Sequence, residues 1–155
     1  MSRIPTKCFD DIDYSETALF DFPQGLPGYE QERAFVFLNR PDSYPLLFMQ
    51  STRTPELCFI LLPIFVVEPA YRLHLDEEDL SKLKLPLTRQ PRIGEDILCA
   101  AILCAHGGGE TPTANLLAPI VVNIRDRIGI QAIQTQSGYS HRHPLTPREE
   151  LAACS

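Results

Sequence analysis

The sequence predicts a mostly-β protein: a single-domain, β-barrel-like fold of short antiparallel strands, with one short helix near residues 77–84. Three observations predict it. Fourteen prolines among 155 residues, roughly double the usual share, interrupt nearly every stretch that could run as a helix. Between them lie apolar or alternating segments of roughly 3–9 residues, rich in β-branched and aromatic side chains and bounded by Pro or Gly. Many such segments, closely spaced, fit a barrel or sandwich around one core.

Taken in order, the first feature is the loop at 22–30, which reads F-P-Q-G-L-P-G-Y-E. Its two prolines fix φ and its two glycines can take positive φ, so consecutive tight turns are expected. Phe22, Leu26 and Tyr29 then either pin the loop onto the core or stand out as a contact patch. Strands are expected at 34–38, 46–51, 58–62, 65–67 and 71–73. The helix follows. Asp76 can cap it, Asp79 falls three residues later as in a capping box, and Leu80 and Leu83 supply an apolar stripe. The acidic first turn suits the positive end of the helix dipole, which gives the 76–79 cluster a structural reason. Pro86 restricts Leu85, so the helix should stop near Lys84. Residues 97–105 are almost continuously apolar, the mark of a strand buried on both faces. The glycines at 107–109 form a flexible turn. Residues 113–145 then read as a hairpin, with strands at 120–124 and 130–135, a charged turn ending in Gly129, and a polar tail fixed by Pro144. The expected domain is 1–147, with a C-terminal tail at 148–155.

The length suits one domain with one sizeable core. No apolar run approaches the ~20 residues needed to span a bilayer, and the N-terminal residues carry no secretory h-region, so a cytoplasmic location is expected. Cys8, Cys58, Cys99, Cys104 and Cys154 are an odd count of five. They read as reduced thiols rather than a disulfide framework, with Cys58, Cys99 and Cys104 acting as small core hydrophobes. The net charge of −6 argues against direct nucleic-acid binding, which needs Lys and Arg to displace counterions. Seven carboxylates and no Lys or Arg fall between Asp10 and Glu32. They form either a solvated surface or a negative face that steers a basic partner.

No motif for catalysis emerges. The 107–109 glycines lack the Lys-Ser/Thr of a phosphate loop and open no helix. No nucleophile elbow or Cys/His signature is present. Cys99 and Cys104, with His106 nearby, are five apart on a predicted strand and so point to opposite faces. His141 and His143, two apart, would project the same way if extended. They support an alternative reading as a small β-barrel metal-binding protein or enzyme, but no third ligand is evident. With Arg142 they otherwise form a partly cationic patch.

The loop at 22–30 also resembles the F-P-E-G-L-P-G-F-E signature of the flagellar assembly factor FliW family, with Gln24 in place of the acid. Phe48, Gln50, Ser51, Pro55, Leu57 and Phe59 resemble its F-x-x-Q-S…P-x-L-x-F block, and L-D-E-E-D-L at 75–80 resembles its acidic helix start. The resemblance continues through T-A-N-L-L-A-P-I-V-V-N at 113–123, Gly129, Gln131 and Y-S-H-R-H-P-L at 139–145. It is collinear over about 4–147. It implies a cytoplasmic, mostly-β, non-enzymatic binding protein without cofactors, a monomer when free. It also implies two partners: the translational repressor CsrA, a small basic RNA-binding dimer, and flagellin before export. Flagellin would occupy the protein until secreted; the freed protein would then bind and antagonise CsrA. On this reading Glu30 and Glu32 are the candidate charged contacts, and Leu26 and Tyr29 the candidate apolar anchors.

Overall fold

A computed structural model describes residues 2–4, 12–14, 19–105 and 110–145. Eleven strands run in chain order: β1 Ser2–Ile4, β2 Ile12–Tyr14, β3 Leu19–Asp21, β4 Ala34–Asn39, β5 Leu47–Ser51, β6 Cys58–Pro63, β7 Ile97–Cys104, β8 Thr113–Ala114, β9 Ile120–Asn123, β10 Ile128–Gln131 and β11 His143–Pro144. Two short helices, α1 Ile64–Val67 and α2 Glu77–Lys82, lie between β6 and β7. Cys8, Cys154, His106, the 107–109 glycines, the carboxylates of Asp10, Asp11 and Glu16, and the expected tail at 148–155 lie outside the described residues. Among the described residues no helix is long and apolar enough to cross a membrane.

The barrel closes through β3–β4–β5–β6–β7–β9–β10 and back to β3. Every pairing in this ring is antiparallel except the closure. There β10 meets β3 in parallel, with Ile128 opposite Asp21, and the Asp21 amide donates to the Arg127 carbonyl at 2.9 Å. Closure removes the open edges that a sheet of this size would otherwise expose. β8 and β11 attach as a flap on the far end of β7, while β1 and β2 pair with each other in a separate two-stranded sheet.

β7 organises the core, and its alternation shows how. Leu98, Ala100 and Ile102 face the barrel interior, packed with Phe22, Leu26, Phe35, Met49, Leu61, Ile120 and Val122. Ile97, Cys99, Ala101 and Leu103 face outward into a second cluster with Leu62, Ile64, Leu80, Leu83 and Val121. A strand buried on both faces must be apolar at every position, and the 97–105 run meets that requirement up to the exposed Cys104. Cys104 is therefore not the core hydrophobe its apolar neighbours suggested.

Four expectations are corrected. Residues 65–67 are helical: Pro63 ends the ladder, Glu68 N–H closes one turn on the Ile64 carbonyl at 2.9 Å, and burial falls on Ile64 and Val67 at helical spacing. Among the described residues there are therefore two short α-helices rather than one. Residues 71–73 form no strand: the Tyr71 amide donates to the Glu68 carbonyl at 3.0 Å and the Arg72 amide to the Tyr139 hydroxyl at 2.9 Å, and glutamine side chains take the backbone at 74 and 75. Gln134 takes the His74 amide at 2.8 Å and donates to the His74 carbonyl at 2.9 Å; Gln90 does the same at Leu75, at 2.9 and 2.8 Å. The last hairpin strand is Ile128–Gln131, not 130–135. Its turn ends at Arg127, which takes φ +52°, while buried Asn123 folds the turn by accepting from the Arg125 and Asp126 amides. Gly129 is thus a strand residue. A Cβ there would sit 2.6 Å from Cζ of Phe22, so only glycine lets the ring lie on the strand.

Candidate functional site

The loop at 22–30 is built from three successive turns. Gly25 N–H bonds the Phe22 carbonyl at 2.8 Å, Leu26 and Tyr29 exchange backbone bonds at 2.7 and 3.2 Å, and Glu32 N–H reaches the Tyr29 carbonyl at 3.0 Å. Pro27 and Gly28 (φ +84°) occupy the corners of the middle turn, the arrangement of a type II turn. Gly25 takes φ +64°, and a Cβ there would fall 2.5 Å from the Tyr29 carbonyl oxygen.

These turns separate the aromatic and apolar side chains into two roles. Phe22 and Leu26 are buried in the barrel interior, so Leu26 holds the loop and presents no surface of its own. Tyr29 is 45% exposed. Its ring meets Phe59 edge to face, with centroids 5.4 Å apart and planes at 86°, a favoured aromatic geometry that fixes its direction. Glu30 is exposed beside it.

Glu32 behaves differently from the expectation of a surface charge. It is only 7% exposed. Ser51 Oγ donates to one carboxylate oxygen at 2.6 Å, and Thr54 Oγ1 donates to the other at 3.0 Å. Ser51 Oγ in turn accepts from the Arg53 and Thr54 amides at 3.0 and 2.9 Å. Gln50 completes the knot, its Nε2 donating to carbonyls of Ser51, Thr54 and Pro55. A buried carboxylate needs such donors. The network ties the 27–32 segment to the 51–57 turn, and it is what the Q-S pair in the apolar β5 is for. The polar pair inside an apolar strand was the available signal, but its partner 19 residues away could not be read from spacing.

Leu26, Tyr29, Glu30 and Glu32 are therefore brought together, at unequal depth. An open cleft of about 650 Å³ lies over Tyr29, Glu30 and Glu32, walled also by Thr54, Glu56 and Leu57. A second cleft of about 380 Å³ shares Glu30 and runs between the loop and α2 past Asp79, Lys82 and Ile133. In α2 the Asp76 carboxylate accepts from the Asp79 amide at 2.8 Å, so the cap forms as expected. Burial, then the neighbouring Asp76, raises the Asp79 carboxyl above its usual range.

The other candidates do not converge. His141 lies exposed in the turn before β11 and His143 on β11 itself, and no group of three His, Cys, Asp or Glu among the described residues could hold a metal. Burial pushes the Cys99 thiol up to about 12, which disfavours the reactive thiolate. Tyr71 is raised well above its ordinary value, also chiefly by burial, and donates to the Leu116 carbonyl.

Comparison with known proteins places this geometry. The sequence profile of the family described as FliW protein matches residues 3–145. The flagellar assembly factor FliW of Geobacillus kaustophilus is 37% identical over 148 residues, covering 95% of this chain and 97% of the relative. That of Clostridium botulinum is 30% identical over 147 residues, covering 95% and 99%. A crystal structure of the flagellar assembly factor FliW superposes with a TM-score of 0.81 at 35% identity, covering 95% of this chain and 99% of the other. Full-length similarity in sequence and fold, with the 22–30 loop folded as a unit against β5, shows that the chain belongs to the FliW family of flagellar assembly factors.

Proposed function

We propose that this chain is a cytoplasmic, non-catalytic regulator that binds and antagonises the translational repressor CsrA and holds flagellin before export. Flagellin occupies it until secretion; the freed protein then takes up CsrA and releases translation of flagellin. No cofactor is required, and the protein acts as a monomer when free.

One observation carries the docking face. The loop that bears the family signature leaves Tyr29 and Glu30 at the surface, beside a cleft with carboxylates in its wall. A small basic partner is matched by that charge and by the net charge of −6. Leu26 and Glu32 keep the loop in shape from below, Tyr29 and Glu30 stand exposed at the contact, and Glu32 also reaches the cleft wall. Charge on the rim sets association rate, and the apolar anchor sets residence time.

Glu30→Lys tests this face. It should slow CsrA association by about threefold to tenfold at low salt and flatten the salt dependence, with little change in dissociation. Stopped-flow or surface-binding kinetics read both rates. An unchanged association rate at low ionic strength would remove Glu30 from the docking face.

A further inference from the structure

The wall of the 650 Å³ cleft carries Glu30 and Glu32 and, among the described residues, no Lys or Arg. Two arginines are bonded to residues of the wall, but to carbonyl and amide oxygens rather than to carboxylates: Arg33 Nε donates to the Glu30 carbonyl at 3.4 Å, and Arg53 Nη1 donates to the Gln31 carbonyl and side chain. Neither lines the cleft. Glu32 is the telling member. It is a carboxylate more than nine-tenths buried whose partners are two hydroxyls, Ser51 and Thr54, and not a cation. Each of its oxygens accepts one of those bonds, and a carboxylate oxygen has capacity for a second. Tyr29 stands in the same wall with nearly half its surface open and its ring direction fixed by Phe59. Leu57 supplies apolar wall.

An aromatic face next to a pre-organised carboxylate is the pairing that a planar cation uses: the ring attracts its face, and the carboxylate accepts two parallel N–H bonds. A compact ammonium on a flexible stem is more strongly hydrated and cannot make the bidentate contact.

We infer that this cleft is a receptor for a single arginine side chain of a partner protein, its guanidinium lying on Tyr29 and paired with Glu32 and Glu30. The inference rests on the proposed reading of this face as a docking surface, and it adds arginine over lysine as the recognised group. Glu32 then has two roles in sequence: it fixes the 51–57 turn in the free protein and meets the incoming cation in the complex.

The test uses N-acetyl-arginine amide and N-acetyl-lysine amide as probes, titrated into the isotope-labelled full chain and followed by nuclear magnetic resonance. The arginine probe should shift the Tyr29 ring and Leu57 methyl signals in a manner that saturates in the millimolar range. The lysine probe should shift them several-fold less at equal concentration. Glu32→Gln should abolish the arginine response. Because that site is buried, Tyr29→Leu and the exposed Glu30→Gln serve as second variants, each expected to weaken the response several-fold with the spectrum otherwise unchanged. Equal responses to both probes, shifts located elsewhere, or no response at all would overturn the arginine site. CsrA binding is measured separately on the same sample. CsrA that binds a chain giving no arginine response refutes the receptor alone, whereas an arginine response without CsrA binding supports the receptor and counts against the proposed partner.

Discussion

Glu32 and Gly129 each owe their identity to a side chain far off in sequence. Glu32 is held by Ser51 and Thr54, and Gly129 leaves room for the Phe22 ring. Gly129→Ala would push a methyl group to 2.6 Å from a ring with no exposed surface to move into. It should destabilise the fold by about 1–3 kcal/mol, the usual cost of overpacking a filled core, seen as a lower denaturant midpoint with an unchanged slope. An unaltered midpoint would mean that Phe22 has room to shift. Cysteines make a second residue-scale contrast. Cys104 is exposed and Cys99 buried, so alkylation of the folded protein near neutral pH should modify Cys104 and spare Cys99 until denaturant is added, as peptide mass analysis would show. Burial favours the neutral Cys99 thiol, whose pKa rises from 9.0 to about 12. The unfolded chain ionises first, so this contribution is intact below about pH 9 and is lost as pH rises toward about 12. The Tyr29, Leu26 and Phe22 loop was legible as a set of tight turns, since Pro and Gly act locally. Which of its side chains would face outward was not legible, because that depends on Phe59 and on the barrel interior.

Among the elements, α2 was the most readable because its determinants sit within a turn of one another. Asp76 caps, Glu78 pairs with Lys82 at 3.2 Å, Leu80 and Leu83 are buried, and Lys84 ends the run with φ +57°. Asp76→Ala removes the acceptor for the Asp79 amide and should cost about 1 kcal/mol. Urea unfolding would measure it, and a loss near zero would mean that water replaces the cap without penalty. β7 was equally legible, since continuous apolar sequence signals burial on both faces. By contrast α1, the irregular 71–75 segment and the end of β10 were misread. In each case short β-branched or alternating sequence is compatible with either state, and a distant partner decides: Pro63 ends a ladder, and Gln90 and Gln134 replace one. The pairs β3–β10 and β8–β11 lack any local signal: the first is one residue pair, Asp21 with Ile128, matched across most of the chain, and the second joins two-residue strands at 113–114 and 143–144.

For the molecule as a whole, closure of the barrel by a single parallel contact between β10 and β3 sets the 22–30 loop directly after a closing strand. The loop is consequently anchored at its base by the barrel and along its far side by the Glu32 knot. Its exposed residues are presented on a rigid support, a condition for recognition without a large ordering cost. The barrel class and the acidic balance could be read from composition and spacing. The order of strands in the ring could not, since register is a property of pairs. The central claim is that this scaffold exchanges one basic regulator for one exported filament subunit. Calorimetric titration of the full chain with CsrA from the same organism, alone and in the presence of flagellin, tests it most directly. The account predicts saturable CsrA binding that flagellin suppresses; an absence of CsrA binding, or CsrA binding that flagellin leaves unchanged, would contradict it.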